Sequence, residues 1–90
     1  MLSTLENLIK LARQRKSIPL EGSYTNKLLT NKALSKAKVL EEVDELIEAI
    51  ENDTNKIHEA ADVFYHLLIY LEANDVKIED VMKELEKRKK

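Results

Sequence analysis

The sequence predicts an all-α fold, a bundle of four to five helices completed by dimerisation. Three observations predict it. Apolar residues recur at helical spacing along most of the 90 residues. One Gly and one Pro leave little turn material for a set of strands. Hydrophobic residues make up 43% and charged residues 36% of the chain, the balance of amphipathic helices rather than of disorder. A chain this short sits near the lower limit for an independent core, so at least a dimer is expected.

Leu2, Leu5, Leu8, Ile9 and Ala12 set a first helix over about residues 2–16. Pro19 and Gly22 break it, and residues 17–26 form the longest irregular stretch. A short helix is expected around residues 25–30, and a third over about 34–51. Asn52-Asp53-Thr54 reads as a turn that can also cap the next helix, about 55–73, which stops at Asn74-Asp75. A last helix covers about 78–88, with Glu79 and Asp80 in its first turn. The basic run Lys87-Arg88-Lys89-Lys90 then complements the dipole at its end. With no repeat and no linker, residues 1–90 read as one domain.

Charge and composition exclude several function classes. Fifteen basic and 17 acidic residues give a net charge of −2, which is no nucleic-acid footprint. Without cysteine there is no disulfide framework and no thiolate chemistry. No apolar run reaches the length of a membrane span, and the N-terminus lacks the architecture of a signal peptide, so a cytoplasmic location is expected.

Two acidic doublets carry the chemical signal: Glu42-x-x-Glu45 and Glu59-x-x-Asp62, each inside an apolar helical pattern. Residues three apart share a helix face, so two such helices packed together aim four carboxylates at one spot. Four like charges need a compensating cation, and oxygen-only ligands select a hard one, Mg²⁺ first, which favours a phosphate-bearing substrate. Advancing 100° per residue, Val39, Leu40, Val43, Leu46, Ile47 and Ile50 form one apolar arc. Glu42 borders that arc, and Glu45 follows beyond the small Ala49. In the next helix Glu59, Asp62 and His66 form a polar strip between Ile69 and Tyr70, amid a very wide apolar surface that calls for cover from a second subunit. The plainer alternative is i,i+4 or i,i+3 pairing on a solvated face, Lys38 with Glu42 and Lys56 with Glu59.

Three blocks in order sharpen the reading: Glu21-Gly22-Ser23-Tyr24-Thr25-x-Lys27-Leu28-Leu29, then Lys38-Val39-Leu40-Glu41-Glu42-x-x-Glu45, then Glu59-Ala60-Ala61-Asp62-Val63-Phe64-Tyr65-His66-Leu67-Leu68. Together they resemble the phosphoribosyl-ATP pyrophosphohydrolase family, which belongs to the all-α, MazG-like NTP pyrophosphohydrolases marked by E-E-x-x-E followed by E-x-x-D. The resemblance covers residues 2–88. It implies hydrolysis of the α–β phosphoanhydride of phosphoribosyl-ATP to phosphoribosyl-AMP and pyrophosphate, the second step of histidine biosynthesis. Carried over residue by residue, Glu42, Glu45, Glu59 and Asp62 become the Mg²⁺ ligands, and Glu41 positions or deprotonates the attacking water. The chain departs from the family at Leu40, at Lys32-Ala33-Leu34-Ser35, and at Asp75 and Lys77, which weakens the expected cap of the last helix and leaves every proposed ligand in place.

For the remaining phosphate charge Lys27 and Lys38 are the first choices, ahead of Arg13 and Arg15. Ser23, Tyr24 and Thr25 are expected to contact phosphate or ribose; their local alternative is a turn at Gly22-Ser23 and capping of the short helix by Ser23 or Thr25. His66 is expected to touch a metal ligand rather than the ion, and His58 to lie on the surface. Tyr65 and Tyr70 read as core or interface aromatics. The expected partners are the nucleotide phosphoribosyl-ATP and further copies of the chain. Relatives are often fused to the cyclohydrolase of the next step, for which these 90 residues have no room. Two other functions remain: a house-cleaning pyrophosphohydrolase of free triphosphates, and a non-enzymatic helical dimerisation module.

Overall fold

A computed structural model describes residues 2–89. The first helix, α1, spans Ser3–Ser17 and turns Ile9 and Ala12 inward, with Arg15 and Lys16 at its dipole's negative end. Pro19 follows two residues past its end. Gly22 then takes a φ of +82°, a conformation glycine adopts without Cβ strain. Helix α2, Tyr24–Thr30, is capped by Ser23, whose Oγ accepts the Asn26 N–H at 3.3 Å.

Asn31 serves two helices. Its N–H closes α2 on the Lys27 carbonyl at 3.0 Å, and its Oδ1 caps α3 by accepting the Leu34 N–H at 3.0 Å. That cap starts α3 (Lys32–Asn52) two residues before position 34. The turn into α4 (Lys56–Ala73) differs from expectation. Asn52 is still helical, Asp53 is left-handed at φ +54°, and the Thr54 N–H returns to the Ala49 carbonyl at 2.9 Å. These residues therefore close α3, with Asp53 in the place glycine takes most often, and α4 begins without a side-chain cap. Asn55, at the start of α4, is left-handed as well at φ +38°, and Asp75 at φ +57° ends α4 in the manner of Asp53; α5 (Ile78–Lys87) begins at Lys77 with no side-chain cap. Lys90, the last residue of the basic run, lies outside the described residues.

There is no strand among the described residues, and the fold is all-α. The three-residue turn makes α3 and α4 a helical hairpin, the most extensive contact of the chain. Helices α1 and α2 lie against α4. Ala12, Leu28, Leu29, Ile69 and Ala73 form the core where these three meet, flanked by Leu8, Leu34 and Tyr65. Helix α5 buries no residue. It is tied back by Arg13, which donates to Glu79 at 2.6 and 2.7 Å and to the buried Glu72 at 3.1 Å.

The bundle leaves apolar surface uncovered. Leu40, Ile47 and Ile50 on α3 and Phe64 and Leu67 on α4 are half-exposed, and Ile57 is 88% exposed. The radius of gyration is 14.1 Å, against about 12 Å for a compact chain of this length. No described helix is long and apolar enough to cross a membrane.

Candidate active site

The two acidic doublets meet across the α3–α4 hairpin. One oxygen from each of Glu42, Glu45 and Glu59 falls within 4.8 Å of the other two. A second group, His58, Glu59 and Asp62, meets the same limit, so Glu59 joins the two. Ala49, only 5% exposed, is the small residue that lets the helices approach. Glu42 is buried, Glu59 and Asp62 are half-buried, and Glu45 is exposed, so the cluster opens to solvent on one side.

The neighbouring lysines do not neutralise these acids. Lys38 binds Glu41 at 3.1 Å rather than Glu42, and Lys56 binds Asp53 rather than Glu59. Glu42 Oε2 and Glu59 Oε2 are buried and have no hydrogen-bond partner among the described residues. An ionised carboxylate oxygen accepts only, so such an atom calls for a donor or a cation. Burial first, and then the adjacent Glu45, push the Glu42 carboxyl up to about 7, with Asp62 and Glu59 adding to it. Burial and the charges of Glu45 and Asp62 likewise raise Glu59, offset in part by His58. An all-oxygen set with two orphaned buried oxygens fits a hard divalent cation of the Mg²⁺ type.

His58 is less detached than its surface position suggests. Its side chain is 73% exposed, yet Nε2 lies 3.4 Å from Asp62 Oδ2. The i,i+4 spacing was the available signal. His66 does touch Asp62, but at the backbone: Nδ1 lies 2.8 Å from the Asp62 carbonyl oxygen. Its Nε2 is 3.0 Å from the Tyr24 hydroxyl. A carbonyl only accepts, so Nδ1 carries the hydrogen and in the neutral ring Nε2 accepts from Tyr24. Burial raises the Tyr24 phenol while nearby Lys38 opposes the shift. Lys38 itself is raised by its bond to Glu41.

The segment 19–23 and α2 frame an open groove of about 620 Å³, lined by Leu20, Gly22, Ser23, Tyr24 and Lys27 among others. Its wall is tied down. Asn26 Oδ1 accepts the Leu20 N–H at 2.9 Å, while Asn26 Nδ2 donates to the Arg15 carbonyl at 2.9 Å. Arg15 donates to Ser23 Oγ at 2.8 Å. Asn26 is thus the clamp of this loop, a role with no periodic signature in the sequence. Thr25 is buried and its hydroxyl meets the Tyr65 hydroxyl at 2.6 Å. Lys27 is exposed at the groove. Arg13 is committed to Glu72 and Glu79, and Glu41 stands exposed beside Lys38.

Comparison with known proteins agrees with the geometry. The family described as Phosphoribosyl-ATP pyrophosphohydrolase matches residues 3–89. A Clostridium acetobutylicum protein named Phosphoribosyl-ATP pyrophosphatase is 45% identical over 92 residues, covering 98% of this chain and 80% of that protein. A Listeria innocua protein of the same name is 45% identical over 91 residues, covering 98% and 84%. The Arabidopsis thaliana chloroplastic histidine biosynthesis bifunctional protein hisIE is 39% identical over 92 residues; the chain spans only 33% of its length. On the match over nearly all its residues, and on identities of this size, the chain belongs to the phosphoribosyl-ATP pyrophosphohydrolase family.

Proposed function

We propose that the chain hydrolyses the α–β phosphoanhydride of phosphoribosyl-ATP, releasing phosphoribosyl-AMP and pyrophosphate in histidine biosynthesis. The observation that carries this reading is the pair of buried, partnerless oxygens on Glu42 and Glu59, in a cluster that adjacent lysines bypass. Glu42, Glu45, Glu59 and Asp62 would hold Mg²⁺. Held there, it would supply neutralisation of phosphate charge and a more acidic water.

The chain's own side chains divide the remaining work. Lys27, free at the groove, and Lys38, beside Tyr24, hold phosphate charge that the carboxylates would otherwise repel. Glu41, exposed one residue before Glu42, orients the attacking water. Ser23 and Tyr24 face the groove and meet the ligand, while Thr25, through Tyr65, fixes the backbone that presents them. Positioning and electrostatics of this kind supply most of the rate in phosphoryl chemistry.

A homodimer completes the reading. The uncovered residues Leu40, Ile47, Phe64 and Leu67 lie on the same two helices as the acids, so a second copy there shields the cluster from bulk water. The test is pyrophosphate release from phosphoribosyl-ATP with and without Mg²⁺, beside ATP and dCTP. Release from phosphoribosyl-ATP alone, abolished by EDTA, is expected. Release from the simple triphosphates instead would move the chain to a house-cleaning role, and release from none would leave a helical dimerisation module.

A further inference from the structure

Tyr24 is held at two points. Its hydroxyl donates to His66 Nε2 at 3.0 Å, and its ring lies nearly parallel to Tyr65, with centroids 6.4 Å apart and an interplanar angle of 16°. His66 in turn stands edge-on to Tyr65 at 5.0 Å, and Tyr65 is anchored through Thr25. The Tyr24 ring also meets His66 edge-on at 5.9 Å, so rotating Tyr24 out of this arrangement breaks its hydroxyl contact and its two ring contacts together. Yet the residue is 44% exposed and lines the groove. An aromatic ring both immobilised and presented to an open groove has already lost the rotamer freedom that a ligand would otherwise have to remove. Purine bases stack on such surfaces, because their π-faces suit an aromatic plane. The groove's volume of about 620 Å³ has room for a base and its sugar.

We propose that Tyr24 is the stacking platform for the purine base of the nucleotide and that His66 is its positioning residue. His66 does this through geometry. Its Nδ1–H is committed to the Asp62 carbonyl, so Nε2 accepts and the phenol must donate. His66 sits one turn of α4 from Asp62, which ties the register of the platform to that of the carboxylate cluster. The inference rests on the nucleotide-hydrolysis reading above.

Two measurements separate the two. The chain has no tryptophan, so Tyr24→Trp places a single tryptophan at the platform, one that can be excited apart from the remaining tyrosines. AMP is expected to quench its emission saturably, and ribose 5-phosphate is not. Steady-state kinetics on phosphoribosyl-ATP follow with the full chain. Tyr24→Ala is expected to raise KM about tenfold, the loss of one stacked base, with kcat little changed. Tyr24→Phe is expected to raise it only a few-fold. His66→Leu is expected to raise KM in the wild-type background and to add nothing in Tyr24→Phe, while His66→Gln, which keeps an acceptor, restores most of the loss. A general structural role for His66 would instead give additive losses and no rescue. Quenching by AMP without hydrolysis of phosphoribosyl-ATP would retain the platform and reject the proposed activity. Hydrolysis with no quenching and an unchanged KM in Tyr24→Ala would overturn the platform, as would a fall in kcat alone. If Tyr24→Ala does not fold, the quenching result and the Tyr24→Phe/His66→Leu cycle decide.

Discussion

Glu42→Gln separates a metal cluster from a merely acidic helix face, because its effect should change sign with Mg²⁺. Without the ion, Glu42 is a buried carboxylate with one oxygen unpartnered and Glu45 beside it. Its carboxyl is pushed from the ordinary 4.5 up to about 7. A raised carboxyl favours the folded state below pH 4.5, and that contribution is lost as pH rises through about 7. Forcing ionisation at pH 8.5 therefore costs the fold up to about 3 kcal/mol at 1.36 kcal/mol per pH unit. The neutral amide keeps the shape and escapes that penalty, but it still buries polar atoms, which leaves a net gain of about 1–2 kcal/mol. In a domain of this size that is a rise in Tm of about 5–10 °C.

Mg²⁺ reverses the order. If the cluster holds Mg²⁺ as proposed, an ion at about one hundred times its Kd should stabilise the wild type by about 2.7 kcal/mol, and the variant, without the Glu42 carboxylate, should gain far less. The assay is thermal melting by circular dichroism at pH 5 and pH 8.5, in EDTA and in Mg²⁺, at matched ionic strength to remove screening. The wild type should lose stability between the two pH values in EDTA; the variant should lose much less, the residue coming from Glu59, which is raised as well. Equal Mg²⁺ responses in both proteins, or a variant less stable than wild type at pH 8.5 in EDTA, would refute the cluster.

Further outcomes follow from the same contacts. Arg13 holds the Glu79 carboxyl down at about 2, so that pair stabilises the fold above pH 4.5 and fails as pH falls towards 2. Arg13→Met should remove this acid dependence and raise amide exchange throughout α5, as followed by hydrogen-exchange mass spectrometry; protection unchanged in α5 would show that the helix is held by other means. Ser35 is fully buried and its Oγ has no partner, so Ser35→Ala should be neutral or stabilising by up to about 1 kcal/mol in urea melts. Asn26→Ala removes the bonds to Leu20 and Arg15 and should cost about 1–2 kcal/mol, with new amide exchange at Leu20 and a raised KM. The proposed homodimer predicts that Phe64→Glu sediments as a monomer where the wild type sediments as a dimer; the same species in both proteins would remove the α3–α4 face from that proposal.

The parts of this chain that were legible in its sequence are the periodic ones. The helical wheel places Glu42 at the edge of an apolar arc and Glu59, Asp62 and His66 in one strip; the structure brings Glu42, Glu45 and Glu59 together across α3 and α4, with Asp62 beside Glu59, while His66 turns to the Asp62 backbone instead. What escaped has no period. Arg13 reaches Glu72 and Glu79 across 59 and 66 residues of sequence. Asn26, an unremarked position within a motif block, holds the loop because Leu20 and Arg15 arrive there only after α1 has packed. The Asn52-Asp53-Thr54 segment is legible as a turn, but its closure of α3 in place of a cap on α4 is not. Asn and Asp serve equally as caps and as left-handed closers, and only the fold decides between them.

The lysine partners show how a small shift in register makes a site. On α3, Lys38 pairs at i+3 with Glu41 and not at i+4 with Glu42; before α4, Lys56 reaches back to Asp53 and not forward to Glu59. Had both chosen the other partner, the cluster would be neutralised by its own chain, with little left to attract a cation. Ion pairs this exposed are worth at most about 1 kcal/mol, so stability alone does not dictate the choice. What distinguishes the two sets of acids is burial. Glu41 and Asp53 are exposed and pair in water at little cost, whereas bringing an ammonium in to Glu42 would strip its hydration as well. Burying Glu42 and half-burying Glu59 along the α3–α4 seam therefore disfavours the internal cations, and the same seam turns Ile47 and Phe64 outward, where the proposed second copy would dry the cluster further and strengthen any hold on an ion.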